Sequence, residues 1–182
     1  MKPRIFATLF VGALLLALSA VAGACGGSGG GGELTLEEYF QRIDVLGNDF
    51  EDDINRLTDE FEEAAQEVRT EEQLIEPFRD FFDRLGALTE DFIADLESID
   101  PPSEVEDAHN EIVAAQAEGL ELLAELNERA QRVVSISDME ELSAEFEGPV
   151  FTDISDRSEQ ACFALEAIAD DNGIDVDLEC EE

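Results

Sequence analysis

Four times along the chain a hydroxyl residue stands three positions ahead of Glu or Gln and opens an apolar run. The pairs are Thr35 and Glu38, Thr70 and Gln73, Ser103 and Glu106, and Ser137 and Glu140. In such a capping box the hydroxyl accepts from the amide three residues on. The acid or amide side chain reaches back to the cap's own N–H, so two orphan donors at a helix start are satisfied together. The runs that follow have steps of three and four, which place their apolar residues on one helical face. The first is Leu36, Tyr39/Phe40, Ile43, Leu46, Phe50, Ile54, Leu57, Phe61, Ala64 and Val68. The second is Leu74, Phe78, Phe81, Leu85, Leu88, Phe92, Leu96 and Ile99. The third is Val105, His109, Ile112, Gln116, Gly119, Leu123, Leu126, Ala130 and Val133. The fourth carries Met139, Leu142 and Phe146, breaks at Gly148-Pro149, and resumes with Phe151, Ile154, Ala161, Leu165 and Ile168.

Stops separate these runs. Pro77 should kink the second helix or delay its start. Pro101-Pro102 ends it, and Asn172-Gly173 ends the fourth. No strand alternation or hairpin signal competes in the body. Short connections make successive helices antiparallel neighbours. The expected fold is all-α: an elongated up-down antiparallel four-helix bundle with a short C-terminal extended tail. Its first three helices should each be about 40–50 Å long. A pair of helical hairpins packed on a second copy is the alternative, so a homo-oligomer fits the pattern too.

The segment before the first box has a different grammar. Met1-Lys2-Pro3-Arg4 is basic, Ile5 to Val21 is almost wholly apolar, and Ala22-Gly23-Ala24 is a run of small residues. That is the layout of a secretory signal and not of a membrane span in the mature chain. Cys25 follows, then six glycines and one serine over 26–32. In these residues the chain resembles bacterial-type lipoproteins. The resemblance implies cleavage before Cys25, lipid attachment to Cys25, and a membrane reached through that N-terminal lipid. Ala22 stands where a Leu-like residue is usual. Ala22-Gly23-Ala24 also reads as an ordinary cleavage site, which leaves a secreted protein with a free Cys25 as the alternative. The expected organisation is therefore a signal peptide over 1–24, a lipidated Cys and tether over 25–32, and an acidic helical domain over 33–182. A Gly/Ser tether of seven residues reaches about 15 Å on average.

Three cysteines in an exported chain leave an odd one. Lipid on Cys25 would leave Cys162 and Cys180 to pair. The helix advances about 15 Å from Cys162 to its stop at Gly173, and seven residues back to Cys180 span about 23 Å, so a disulfide is feasible. Ile174, Val176 and Leu178 alternate with acids in this tail, which suits apolar contact with the bundle on one side and water on the other.

Charge excludes more than it identifies. The chain has 47 Asp or Glu against ten Lys or Arg, a net charge of −37. The first 24 residues hold Lys2, Arg4 and no acid, so their removal takes the net charge to −39 and leaves no Lys. A nucleic-acid groove needs clustered cations against phosphate, so no nucleic-acid partner is expected. The same balance argues against direct electrostatic binding to anionic lipid headgroups. An apolar content of 44% is too high for a disordered acidic tail. Such a charge repels itself and should make stability depend on salt. The composition resembles exported proteins of salt-adapted organisms; a cationic partner is the functional reading.

Few residues suggest chemistry. Glu106 and His109 form Glu-x-x-His, which resembles the helix motif of ferritin-like di-iron bundles and would make both of them ligands. No second such motif exists, and the other stripes are apolar at their core steps, so no metal site is expected there. His109, Gln116 and Gly119 instead suit a polar layer or a small pocket. Asp170, Asp171, Asn172, Gly173, Asp175, Asp177 and Glu179 offer oxygens to Ca²⁺ but do not follow the spacing of the twelve-residue calcium loop. No serine triad, Schiff-base lysine, phosphate loop or Cys-x-x-Cys is present. No catalytic residue and no cofactor is therefore expected. The functional expectation is a membrane-anchored extracytoplasmic lipoprotein, on the periplasmic or surface side, acting as a non-enzymatic binding or envelope-interaction module. Its partner would be a protein or divalent cations. A Ca²⁺-binding or buffering protein and a self-associating envelope protein are the alternatives.

Overall fold

The computed structural model describes residues 34–145, 148–176, 178 and 180. Cys25, Phe146, Asp177 and Glu179, named above, lie outside the described residues. Among the described residues the chain is all-α, with no strand. Its elements are α1 (Leu36–Glu67), a 3-10 turn (Glu71–Leu74), α2 (Ile75–Glu97), α3 (Glu106–Ala130), α4 (Ile136–Ser143) and α5 (Pro149–Asp171). Among the described residues there are thus five α-helices where four are expected, because the fourth run is split at Gly148-Pro149.

The helix starts follow the sequence unevenly. Thr35 caps α1 as expected: its Oγ1 accepts from Glu38 N at 3.2 Å, and Glu38 Oε2 accepts from Thr35 N at 3.0 Å. Gln73 Oε1 accepts from the amides of Arg69 and Thr70 at 2.8 and 3.3 Å. The turn there is 3-10, and the α-helix begins only at Ile75, two residues before Pro77. That is the delayed start a proline imposes, since its missing N–H is tolerated only in the first turn.

Two expected boxes do not form as read. The Ser103–Glu106 box is absent, and α3 is entered through Val105 without a side-chain cap. Val105 N donates to Pro102 O at 3.0 Å, so a turn occupies the residues the box would need, and Ser103 Oγ bonds Glu104 instead. Burial of Val105 to 1% exposure fixes that turn. The box at the start of α4 lies two residues earlier than Ser137–Glu140. Ser135 Oγ accepts from Asp138 N at 3.2 Å, and Asp138 Oδ2 accepts from Ser135 N at 3.0 Å.

The break before α5 has a steric cause. Pro149 sits in the first turn of α5, and Gly148 N donates to Glu145 O at 2.9 Å. A Cβ on Gly148 would stand 2.7 Å from Glu145 O, so only glycine closes this turn. At the other end of α5, Gly173 takes φ +69°. Gly173 N donates to Asp170 O at 3.0 Å and Ile174 N to Ala169 O at 2.9 Å. This is a Schellman stop, which requires the left-handed conformation glycine adopts without penalty.

Cross-helix pairs run in opposite directions along neighbours. From α1 to α2 they are Phe50 with Phe92 and Phe61 with Phe81. From α2 to α3, Asp83 meets Asn127 and Arg79 O meets Gln131. Arg157 of α5 bridges Glu111 and Glu118 of α3 at 2.8 and 2.6 Å.

The core has two parts. One gathers Tyr39, Phe40 and Ile43, then Phe92, Ile93 and Leu96, with Ile99, Val105, Cys162, Leu165, Ala169 and Leu178. The other gathers Ile54 and Leu57, then Phe78, Phe81, Phe82 and Leu85, with Leu123, Leu126, Ala130, Val133, Met139 and Leu142. Phe50 packs against both and stacks on Phe92 with ring centroids 4.3 Å apart. Each fully buried Phe of these clusters contributes about 1.5–3 kcal/mol by burial. The tail closes the first part. Leu178 is 1% exposed, Ile174 and Val176 pack beside it, and the Sγ atoms of Cys162 and Cys180 stand 1.97 Å apart as a disulfide.

Candidate functional site

The single His and the single Tyr of the chain meet in the first core. Tyr39 lies on the first turn of α1 and His109 on the first turn of α3, and both are buried. The Tyr39 hydroxyl lies 3.1 Å from His109 Nδ1. It donates to that nitrogen when the ring proton sits on Nε2. The rings meet edge to face with centroids 5.7 Å apart. Burial depresses the His109 pKa below its ordinary 6.5 and pushes the Tyr39 hydroxyl up. Both groups are therefore held neutral by the cost of placing charge in the core.

Among the described residues neither of the carboxylate-rich candidates is brought together. Glu106 is exposed at the start of α3, while His109 turns into the core toward Tyr39. Among the described residues no three His, Cys, Asp or Glu side chains converge as a metal-binding group. At the end of α5, Asn172 Nδ2 donates to Ile168 O at 2.8 Å, and the backbone of Gly173 and Ile174 completes the helix stop. Gln116 Nε2 reaches the buried Ser158 Oγ of α5 at 3.5 Å, a long hydrogen bond. His109 and Gln116 thus face different partners and do not form one layer. A Cβ on Gly119 would meet only Ile154 Cγ2, at 3.7 Å, so no close approach needs glycine there.

A concave site lies elsewhere, between the second half of α1 and the start of α2. Its volume is about 440 Å³, and Leu57, Phe61, Ala64, Pro77 and Phe81 supply its apolar lining. Glu60, Gln73, Glu76, Asp80 and Arg84 supply its polar lining. Such a size falls within the range of small-ligand pockets. The delayed start of α2 makes room: a 3-10 turn and Pro77 stand opposite the small Ala64. Phe61 and Phe81 sit with ring centroids 5.2 Å apart, tilted by 52°. Arg84 Nη1 lies 2.6 Å from Glu60 Oε2 and 3.7 Å from Asp80 Oδ2. The hydrogen bond from Arg84 holds the Glu60 carboxyl below its usual range. Glu76 has no cation partner among the described residues. The cleft thus holds three carboxylates and one guanidinium, which pairs with two of them.

This cleft is absent from the sequence reading. Its apolar residues occur there as core steps, and its acids as solvated positions between them. The available signal was Pro77, which marks where the second helix is delayed beside the end of the first. No family model, curated protein or solved structure matches the chain.

Proposed function

We propose that the protein is a membrane-anchored extracytoplasmic lipoprotein whose helical body is a non-enzymatic binding or envelope-interaction module. The observation that carries the anchoring is the order of the first 32 residues: basic start, apolar run, Ala22-Gly23-Ala24, Cys25, glycine tether. The pairing of Cys162 with Cys180 supports it, because stable disulfides belong to oxidising, extracytoplasmic compartments. It also leaves Cys25 as the odd cysteine. Two or more acyl chains on Cys25 would hold the body to the bilayer, each buried CH₂ contributing about 0.8 kcal/mol.

The body, in this reading, is an elongated up-down bundle of four antiparallel segments, the fourth divided into α4 and α5. The opposed directions of the α1–α2 and α2–α3 contacts support that arrangement, as do Gln116 against Ser158 and Gly119 against Ile154 between α3 and α5. The cleft between α1 and α2 supports a binding role, since it is an open concavity in which apolar side chains and charged groups line the same space.

Fractionation of a bacterium expressing the full chain tests the proposal. The native chain should stay with the membrane through high-salt washing, and Cys25→Ser should appear in the soluble extracytoplasmic fraction. Native chain that washes off in salt would overturn the anchor.

A further inference from the structure

We propose that the cleft between α1 and the start of α2 binds a small organic cation with an apolar body. The chemistry follows from the lining. Glu60, Glu76 and Asp80 set three negative charges around the positive charge of Arg84, and Arg84 is already engaged by Glu60 and Asp80. Two negative charges remain uncompensated at the mouth of a pocket in a chain of net charge −37. An anionic ligand would meet repulsion from the rim and from the long-range field alike. A bare metal ion would leave the apolar floor without use. An ammonium or guanidinium on an aromatic or alkyl body satisfies both parts: the head meets Glu76 and Asp80, and the body covers the half-buried Phe61, Ala64 and Pro77.

The aromatic pair adds selectivity for a cation. The negative face of a phenyl ring attracts an ammonium held within about 6 Å. Phe61 is half-buried and lines the cleft, and the tilted ring of Phe81 packs against it. The volume of about 440 Å³ sets the size of the occupant at a single ring or a short alkyl chain with its charged head. It is too small for a docked helix. The inference rests on the binding-module reading, but not on the lipid anchor.

Calorimetric titration of the full chain with phenethylammonium tests it. Phenylacetate and 2-phenylethanol, with the same ring and a different head, are the comparison probes, all at matched ionic strength. The expected result is saturable binding of phenethylammonium alone. It should weaken about tenfold in a Glu76→Gln, Asp80→Asn double variant, the combined effect of two exposed charge contacts. Phe61→Leu, which keeps the apolar volume but removes the ring face, should also weaken the binding of phenethylammonium. Both carboxylates are exposed and outside the core, so the double variant should keep its circular dichroism. Binding that the double variant leaves intact, or no saturable binding of phenethylammonium, overturns the cleft assignment. Membrane retention through Cys25 would stand in either case, as would a partner captured by crosslinking at another surface.

Discussion

At the scale of single residues, the Tyr39–His109 hydrogen bond joins the first turns of α1 and α3 inside the first core. Tyr39→Phe keeps the ring packing but removes the hydroxyl. It should cost about 1–3 kcal/mol, because a buried ring nitrogen is left without its partner. Chemical denaturation measures this, and an unchanged midpoint would contradict the role given to the pair. The pH dependence has a definite sign. The folded-state pKa of His109 lies below its unfolded value of 6.5, so the folded state favours neutral imidazole. Its contribution is full above pH 6.5 and is lost as pH falls through the folded pKa. Protonation of the many carboxylates relieves repulsion at the same time, with the opposite sign. The comparison that isolates His109 is therefore native chain against His109→Leu. The stability difference should move in the variant's favour between about pH 7.5 and about pH 5; a pH-independent difference would contradict it. His109 was legible in the sequence as a residue on a core stripe. Tyr39 as its partner was not, since seventy residues separate them and no periodicity pairs one helix start with another.

At the scale of elements, the caps were legible as a pattern but not as positions. Ser135 and Ser137 both stand three residues before an acid, and local sequence alone does not choose between them. Tertiary structure does: burial of Val133 brings the chain into α4 so that Ser135 holds the extended cap conformation, at φ −145° and ψ 162°. Ser135→Ala should cost about 1 kcal/mol and Ser137→Ala only a few tenths, by thermal unfolding. Equal losses would return the cap to its sequence-read place. Thr35→Ala and Ser103→Ala form a second such pair, with the loss expected at Thr35. The split of the fourth run was visible as Gly148-Pro149, yet its consequence, a separate α4, needed the contact of Gly148 with Glu145 O. The tail was legible in both its alternation and its disulfide. Reduction of Cys162–Cys180, which closes a loop of 18 residues, should lower stability by about 3 kcal/mol in the chain-entropy account. Unfolding midpoints with and without a dithiol check this.

At the scale of the whole molecule, composition and periodicity were enough for the all-α class, because stripes of three and four do not suit strands. The cleft was not legible, since a pocket is where two stripes fail to meet. The periodic reading records only where they do. Charge is the other global property. The ion pairs of the described residues lie at exposed or half-exposed positions and offset little of a net charge of −37. Added NaCl should raise the unfolding temperature by screening, and Ca²⁺ at equal ionic strength should raise it by a similar amount. A much larger, saturable Ca²⁺ shift would instead establish a cation site, with Asp171 and Asp175 the first residues to replace. The account as a whole turns on the anchor, because it places this acidic body at a membrane surface that its charge would otherwise avoid. Intact mass analysis of the chain purified from bacterial membranes tests that most directly. The account predicts a chain that begins at Cys25 and carries acyl groups there; an unmodified Cys25, or a chain that still begins at Met1, would contradict it.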